Sequence, residues 1–155
     1  MIRIEPGDLV SVESEGSFYY ALVLDRIRLF GGNWVFVFHD VSDRSLCAAD
    51  LLEGARRGYH AFVDFIWAKR EHRLARLARK VETSAFEGPG RLKNTAALKE
   101  KAKLWFIYDM TFKELKRVAT LTSEEAKLPL NERIDDQIMV QRVRDRWTTD
   151  QDSRV

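Results

Sequence analysis

The amino-acid sequence predicts an α+β protein in which a strongly curved antiparallel sheet, an SH3-like small barrel, is flanked by helices. Three observations lead to this fold class. Short apolar segments with the two-residue period of strands recur through residues 9–66. Turns that contain glycine separate several of these segments, as in small all-β barrels. From residue 67 onward, apolar residues recur at helical spacing.

The first part of the chain contains four expected strands and one short helix. The strands are expected at residues 9–13, 18–25, 34–39 and 60–66. The second strand is apolar on both faces, which is typical of a central strand that is covered on both sides. Ser45 is the expected start of a short helix that runs to Leu52 and ends at a glycine.

The second part of the chain has a mixed pattern. Helices are expected at residues 67–81, at 92–103 and over a terminal amphipathic segment from Ile134 to Trp147. Strands are expected at 104–108 and 112–121, although 112–118 fits a helix equally well. We expect a single α+β domain over residues 1–147, made of a strand-rich part (1–66) with helices and extra strands (67–147) packed on it. Residues 148–155 are expected to form a flexible tail, and whether residues 91–155 form a separate lobe stays open.

Composition indicates a folded protein of the cytoplasm. Of its 155 residues, 45% are hydrophobic and 11% aromatic, which is typical of a globular chain. No apolar run approaches the roughly 20 residues that span a bilayer, and the first residues lack the apolar region of a secretory signal. A single cysteine, Cys47, fits a reducing compartment.

The sequence offers no recognisable catalytic, cofactor or metal site, so we expect a protein that is not an enzyme. It lacks phosphate-binding glycine loops and a nucleophile elbow. His39-Asp40 spells a dipeptide found in metal phosphohydrolases, but only two other histidines are present. The pair Asp135-Asp136 lies at an expected helix start, where the helix dipole favours negative charge.

A basic segment and several aromatic strand residues are candidates for binding. Residues 67–81 contain six basic residues and one acidic residue. As a helix, this segment is either a plain solvated face, a protein-binding face or a contact for phosphates. Most strand aromatics are expected in the core, whereas Tyr19 and Trp34 are expected to reach the surface, Tyr19 opposite the main apolar face and Trp34 after a Gly-Gly-Asn turn.

The first 66 residues carry a pattern of a known family. The pattern is Gly7-Asp8-x-Val10-x-Val12, then Tyr19-Tyr20-Ala21-x-Val23-Leu24, then the aromatic segment from Trp34 to Val41. It resembles immunity protein 26, a bacterial family found beside polymorphic toxins and toxins of contact-dependent growth inhibition. The resemblance implies a non-enzymatic immunity protein that binds the C-terminal domain of a cognate toxin and neutralises it.

Two sets of contact residues follow from these two functional hypotheses. For a toxin partner, we expect contacts from the two surface aromatics and a nearby acidic patch: Tyr19, Trp34, Asp40, Asp43, Asp50 and Glu53. The alternative is a nucleic-acid-binding module that uses the basic segment and the aromatic strands. Its expected phosphate contacts are Arg70, Arg73, Arg76, Arg79 and Lys80.

Overall fold

The computed structural model describes residues 2–27, 31–53 and 57–155. The chain forms two compact units, one of Met1–Glu87 with Arg133–Arg146 and one of Gly88–Glu132 with Trp147–Val155. The expected single domain over 1–147 and flexible tail over 148–155 stay predictions. No helix within the described ranges is both long and apolar enough to cross a membrane.

Nine strands and four α-helices occur in the described part of the chain. The strands are β1 (Leu9–Ser14), β2 (Ser17–Ile27), β3 (Gly32–Ser42), β4 (Gly58–Asp64), β5 (Leu74–Ala78), β6 (Arg91–Asn94), β7 (Trp105–Asp109), β8 (Glu114–Val118) and β9 (Arg133–Asp135). The helices are α1 (Ala48–Glu53), α2 (Ile66–Arg70), α3 (Ser123–Ala126) and α4 (Asp136–Arg144). The α+β class predicted from the sequence is confirmed.

The first unit is built on a six-stranded sheet with the order β5-β1-β2-β3-β4-β9. Neighbouring strands are antiparallel, except that β9 joins β4 in parallel. Among the described residues, β5 and β9 are the two edges and do not pair with each other, so the sheet is not closed. Closure into an SH3-like barrel is therefore not confirmed.

Strand β2 lies inside the sheet and is buried on both faces, as its two apolar faces predict. Tyr20 and Leu22 belong to a core cluster on one face, while Ala21 and Val23 are buried on the other. The pairing with β3 shifts register twice along β2, and such bulges bend a strand. The two-sided burial explains why this segment lacks the polar alternation of a solvated sheet.

Helix α4 confirms the expected terminal helix, over a shorter span. Asp135 caps its N-terminus by accepting a hydrogen bond from the backbone N–H of Ile138 (2.8 Å). Met139 and Val143 are buried at the helical spacing of four residues. The hydroxyl of Tyr59 on β4 donates to the carbonyl of Met139 (3.4 Å), which joins the helix to the sheet.

The expected helix over residues 67–81 is wrong. Helix α2 ends at Arg70, and His72 adopts a left-handed backbone with φ of 57°. Residues Leu74–Ala78 then pair with β1 as an edge strand. Hydrogen bonding to β1, which local spacing does not reveal, outweighs the helical periodicity of this segment.

The second unit contains the three-stranded sheet β6-β7-β8. The expected helix over 92–103 is wrong, because Arg91–Asn94 pairs with β7 as a strand. Residues Glu114–Val118 also form a strand, which decides between the two alternatives for 112–118. A core of Ala102, Trp105 and Leu130 lies in this unit, and Val155 packs against it.

Candidate functional site

The basic segment folds into a tight reversal between α2 and β5. The backbone N–H of Arg73 donates to the carbonyl of Ala68 (2.8 Å), so the chain turns back directly after the helix. The backbone N–H of Glu13 on β1 donates to the carbonyl of Arg73 (2.9 Å), which fixes the start of β5. Basic residues of the helix and of the strand are thereby brought to one edge of the sheet.

A groove of about 980 Å³ lies at this edge, and we call it the basic groove. Its walls are Ile2, Arg3, Glu5, Lys69, Arg70, His72, Leu74, Arg76 and Arg79. Five of these nine residues are arginine or lysine and one is a carboxylate. Arg3 is paired with Glu5 (3.3 Å) and Arg76 with Asp8 (2.9 Å), so the net positive charge of the groove is carried by Lys69, Arg70 and Arg79. Such a surface attracts anions.

The wall formed by the N-terminal segment is held by a buried ion pair. Arg76 donates from Nε to Asp8 Oδ2 (2.9 Å), and only 4% of the Asp8 side chain is exposed. A second guanidinium nitrogen of Arg76 donates to the carbonyl of Arg3. Asp8 also accepts from the backbone N–H of Glu5 (3.0 Å). Arg76 is thus a structural part of the groove and positions the exposed Arg3.

Lys69 shows that like charges are crowded at this site. Burial lowers the pKa of the Lys69 ammonium, and the positive charge of Arg26 lowers it further, against the opposing effect of Asp64. Arg26 lines an adjoining depression of about 650 Å³ that shares Arg3 and Glu5 with the basic groove. The positive surface therefore continues beyond the groove itself.

An exposed aromatic side chain stands beside the groove. Trp67 on α2 is 50% exposed, and the guanidinium of Arg70 lies over its ring at 5.2 Å from the centroid. Because Arg70 lines the groove, this cation–π pair places an indole at its rim.

The structure brings together three of the five residues predicted to contact nucleic acid. Arg70, Arg76 and Arg79 line the groove, whereas Arg73 and Lys80 are not among its lining residues. Arg73 instead pairs with the buried Asp136 (2.8 Å).

Two residues that line the groove, Arg3 and Lys69, were not among the predicted contacts. Lys69 belongs to the basic run and was available to sequence reasoning, but no local signal marks Arg3.

Comparison with protein-family models, curated proteins and solved structures finds no match for this chain. The resemblance to immunity protein 26 therefore stays a prediction, as does the function that it implies.

The two aromatic residues predicted to contact a toxin do not reach the surface. Tyr19 is 2% exposed and its hydroxyl accepts a hydrogen bond from Arg144 Nε (2.7 Å). Trp34 is 5% exposed and stacks on His60, with ring centroids 5.4 Å apart. The expectation that they are exposed is wrong, because both faces of the sheet are covered.

The four acidic residues of the same prediction are all exposed. Asp40 lies on β3, Asp43 follows that strand, and Asp50 and Glu53 lie on α1. Asp50 accepts from Cys47 Sγ (3.0 Å), and this hydrogen bond lowers the pKa of the Asp50 carboxyl. These positions leave the carboxylates accessible to a partner, and their role stays a prediction.

The adjacent carboxylates Asp135 and Asp136 both have structural partners. Asp135 caps α4, and Asp136 is bound to Arg73 and to the backbone N–H of Ala68 (3.3 Å). No group of three or more potential metal-ligating side chains occurs within residues 2–27, 31–53 and 57–155.

Proposed function

We propose that this protein binds nucleic acid through the basic groove. The observation that carries the proposal is the charge of the groove, which has five arginine or lysine side chains and one carboxylate among nine lining residues. A chain of phosphates is the ligand that matches such a row of cations, since each neutralised phosphate releases bound counterions and adds affinity.

Crowded positive charge is unfavourable unless an anion relieves it. Burial is the main cause of the lowered pKa of Lys69, and the positive charge of Arg26 in the adjoining depression contributes to it. An anion between these side chains removes that repulsion. The cations available for contact are Lys69, Arg70 and Arg79, because Arg76 is paired with Asp8 and Arg3 is paired with Glu5 (3.3 Å).

The strand order supports a related proposal for the fold of the first unit. Strands β1 to β4 form a meander, and β5 returns to the outer side of β1 after the short helix α2. We propose that these five strands are an open SH3-like barrel, bent by the bulges of β2. Small barrels of this kind present binding residues at strand edges and in the connecting loops.

The test is direct binding of a fluorescent oligonucleotide by anisotropy over a range of salt concentrations. We expect the double variant Arg70→Ala/Arg79→Ala to weaken binding and to reduce the salt slope by about 1.4, at about 0.7 per lost phosphate contact on a single strand. The matched control is Lys99→Ala/Lys113→Ala, which removes two exposed lysines from the second unit.

Two outcomes would overturn the proposal. One is the absence of binding at low salt, on the order of 50 mM, where phosphate contacts are strongest. The other is an equal loss of affinity in the control, which would indicate a general charge effect in place of a site.

A second candidate function is the immunity protein that the sequence resembles. It is favoured by the exposure of all four predicted acidic contacts, Asp40, Asp43, Asp50 and Glu53. The test is coexpression with the product of a neighbouring gene that is toxic when expressed alone. We expect protection, and we expect charge reversal at Asp40, Asp43 and Asp50 to abolish it. Protection that survives the reversal would remove the acidic patch from the interface.

A further inference from the structure

We infer that the basic groove takes single-stranded nucleic acid, with one base stacked on Trp67. This inference rests on the proposed function and names the kind of nucleic acid and the residue that selects it. It is carried by the indole at the rim of a groove that otherwise consists largely of cations.

Trp67 lies on the exposed side of the short helix, next to Ile66, which is 40% exposed. Its neighbours Phe65 and Ala68 are 1% and 0% exposed, so the short helix is anchored in the protein on either side of it. Half of the Trp67 side chain nevertheless remains in water. Tryptophan and arginine are the residues that most often dominate binding surfaces, because a large ring buries much area at little entropic loss.

The backbone of the helix that carries Trp67 is held in place before any ligand arrives. The backbone N–H of Ala68 donates to Asp136, and that of Lys69 donates to the carbonyl of Phe65 (2.9 Å). The guanidinium of Arg70 lies over one face of the indole, and Arg70 also lines the groove, so the other face is the one a base would use. A base stacked on Trp67 would therefore have its phosphate near the cations of the groove.

Only an unpaired strand can use this arrangement. In a duplex the flat faces of the bases are covered by their neighbours, and a protein reaches only base edges and phosphates. In a single strand each base offers a free face to an aromatic ring, largely without regard to sequence. The cations act on both forms, whereas Trp67 acts on the single strand alone.

The experiment compares two probes of equal phosphate number on the intact chain. One is an oligothymidylate of about 15 nucleotides, within the usual footprint of single-strand binders, and the other is a hairpin duplex. We expect the unmodified protein to prefer the oligothymidylate by at least about fivefold at equal salt, and Trp67→Ala to remove most of that preference. Duplex affinity should change by less than about twofold in this variant, because phosphate contacts remain.

Two further variants keep the outcome interpretable. Trp67→Phe retains a ring that can stack, so we expect it to keep part of the preference even if Trp67→Ala folds poorly. Ile66→Ala removes a neighbouring apolar side chain that is also exposed, and we expect it to bind as the unmodified protein does.

Each result separates this inference from the proposed function. Equal binding of both probes, or a preference that Trp67→Ala leaves intact, overturns the single-strand inference and leaves nucleic-acid binding in place. A loss of the same size on both probes assigns Trp67 a purely structural role and also overturns it. Failure of both probes to bind overturns the proposed function and this inference together.

Discussion

Because of Lys93, we expect the second unit to become more stable as pH rises above about 8. Its side chain is fully buried, donates from Nζ to the carbonyl of Thr149 (2.8 Å) and also contacts the carbonyl of Ala126. A neutral amine has two N–H donors, which is enough for these two acceptors. Because burial disfavours the charged form, the pKa of the Lys93 ammonium is lowered to about 8.

The sign of the effect follows from proton counting. In the unfolded chain the pKa returns to about 10.5, so between these two values the unfolded state binds the extra proton and the folded state does not. The free energy of unfolding must therefore rise as pH increases through this window. Below a pH of about 8, both states are protonated and this contribution is constant.

The size of the effect is bounded by the same two values. The difference between 10.5 and about 8 corresponds to about 3 kcal/mol at about 1.4 kcal/mol per pH unit. An interval from about pH 7 to about pH 9.5 covers only part of this change, because the unfolded pKa of 10.5 lies above it. We expect a gain of about 1–2 kcal/mol between about pH 7 and pH 9.5.

The assay is urea unfolding at both pH values, followed through the indole resonance of Trp105, which belongs to the core of this unit. Lys93→Met removes the titrating group, and the gain with pH should disappear in that variant. Lys99→Met, which changes an exposed lysine of the same unit, should retain it. An identical pH response in the unmodified protein and in Lys93→Met would refute the assignment to Lys93.

Two further predictions concern the first unit. Arg73→Met leaves the buried carboxylate of Asp136 without its cation and should lower the free energy of unfolding by about 3–5 kcal/mol. Urea unfolding of this variant, alone and combined with Asp136→Asn, measures the change. A decrease in the free energy of unfolding below about 1 kcal/mol in the single variant would contradict the prediction. Gly58→Ala places a methyl group into the backbone carbonyl of Val37 and should destabilise by about 3 kcal/mol or more. Gly16→Ala meets no atom within 4 Å but has φ of +76°, so a loss of only about 1–2 kcal/mol is expected in thermal unfolding. Equal losses in the two glycine variants would argue against the close approach at Gly58.

The basic groove was predictable in part. The run of arginine and lysine residues after Trp67 identified the segment, and three of its predicted contacts, Arg70, Arg76 and Arg79, line the groove. The sequence assigned that segment to one helix, in which Arg73 and Arg76 would share a face. In the structure, Arg76 on β5 is bound to Asp8, and Arg73, just before β5, is bound to Asp136. Two of the expected phosphate ligands are therefore occupied by carboxylates distant in sequence.

The sequence pattern was sufficient for the α+β class, for the positions of the first four strands and for the terminal helix. These features rest on local periodicity and on turn residues, which act over a few positions of the chain. The burial of β2 on both faces was visible for the same reason, because seven consecutive apolar residues at 18–24 leave no solvated face.

Three features depend on contacts between segments distant in sequence. They are the strand at Leu74–Ala78, the burial of Tyr19 and Trp34, and the position of Arg3 and Lys69 in one groove. Leu74 and Ala78 are spaced for one helical face and equally for one face of a strand, so periodicity does not distinguish the two. The hydrogen bonds offered by the edge of β1 resolve the choice in favour of β5. Pairing of this kind joins residues more than sixty positions apart, and neither propensity nor spacing within a segment carries that information.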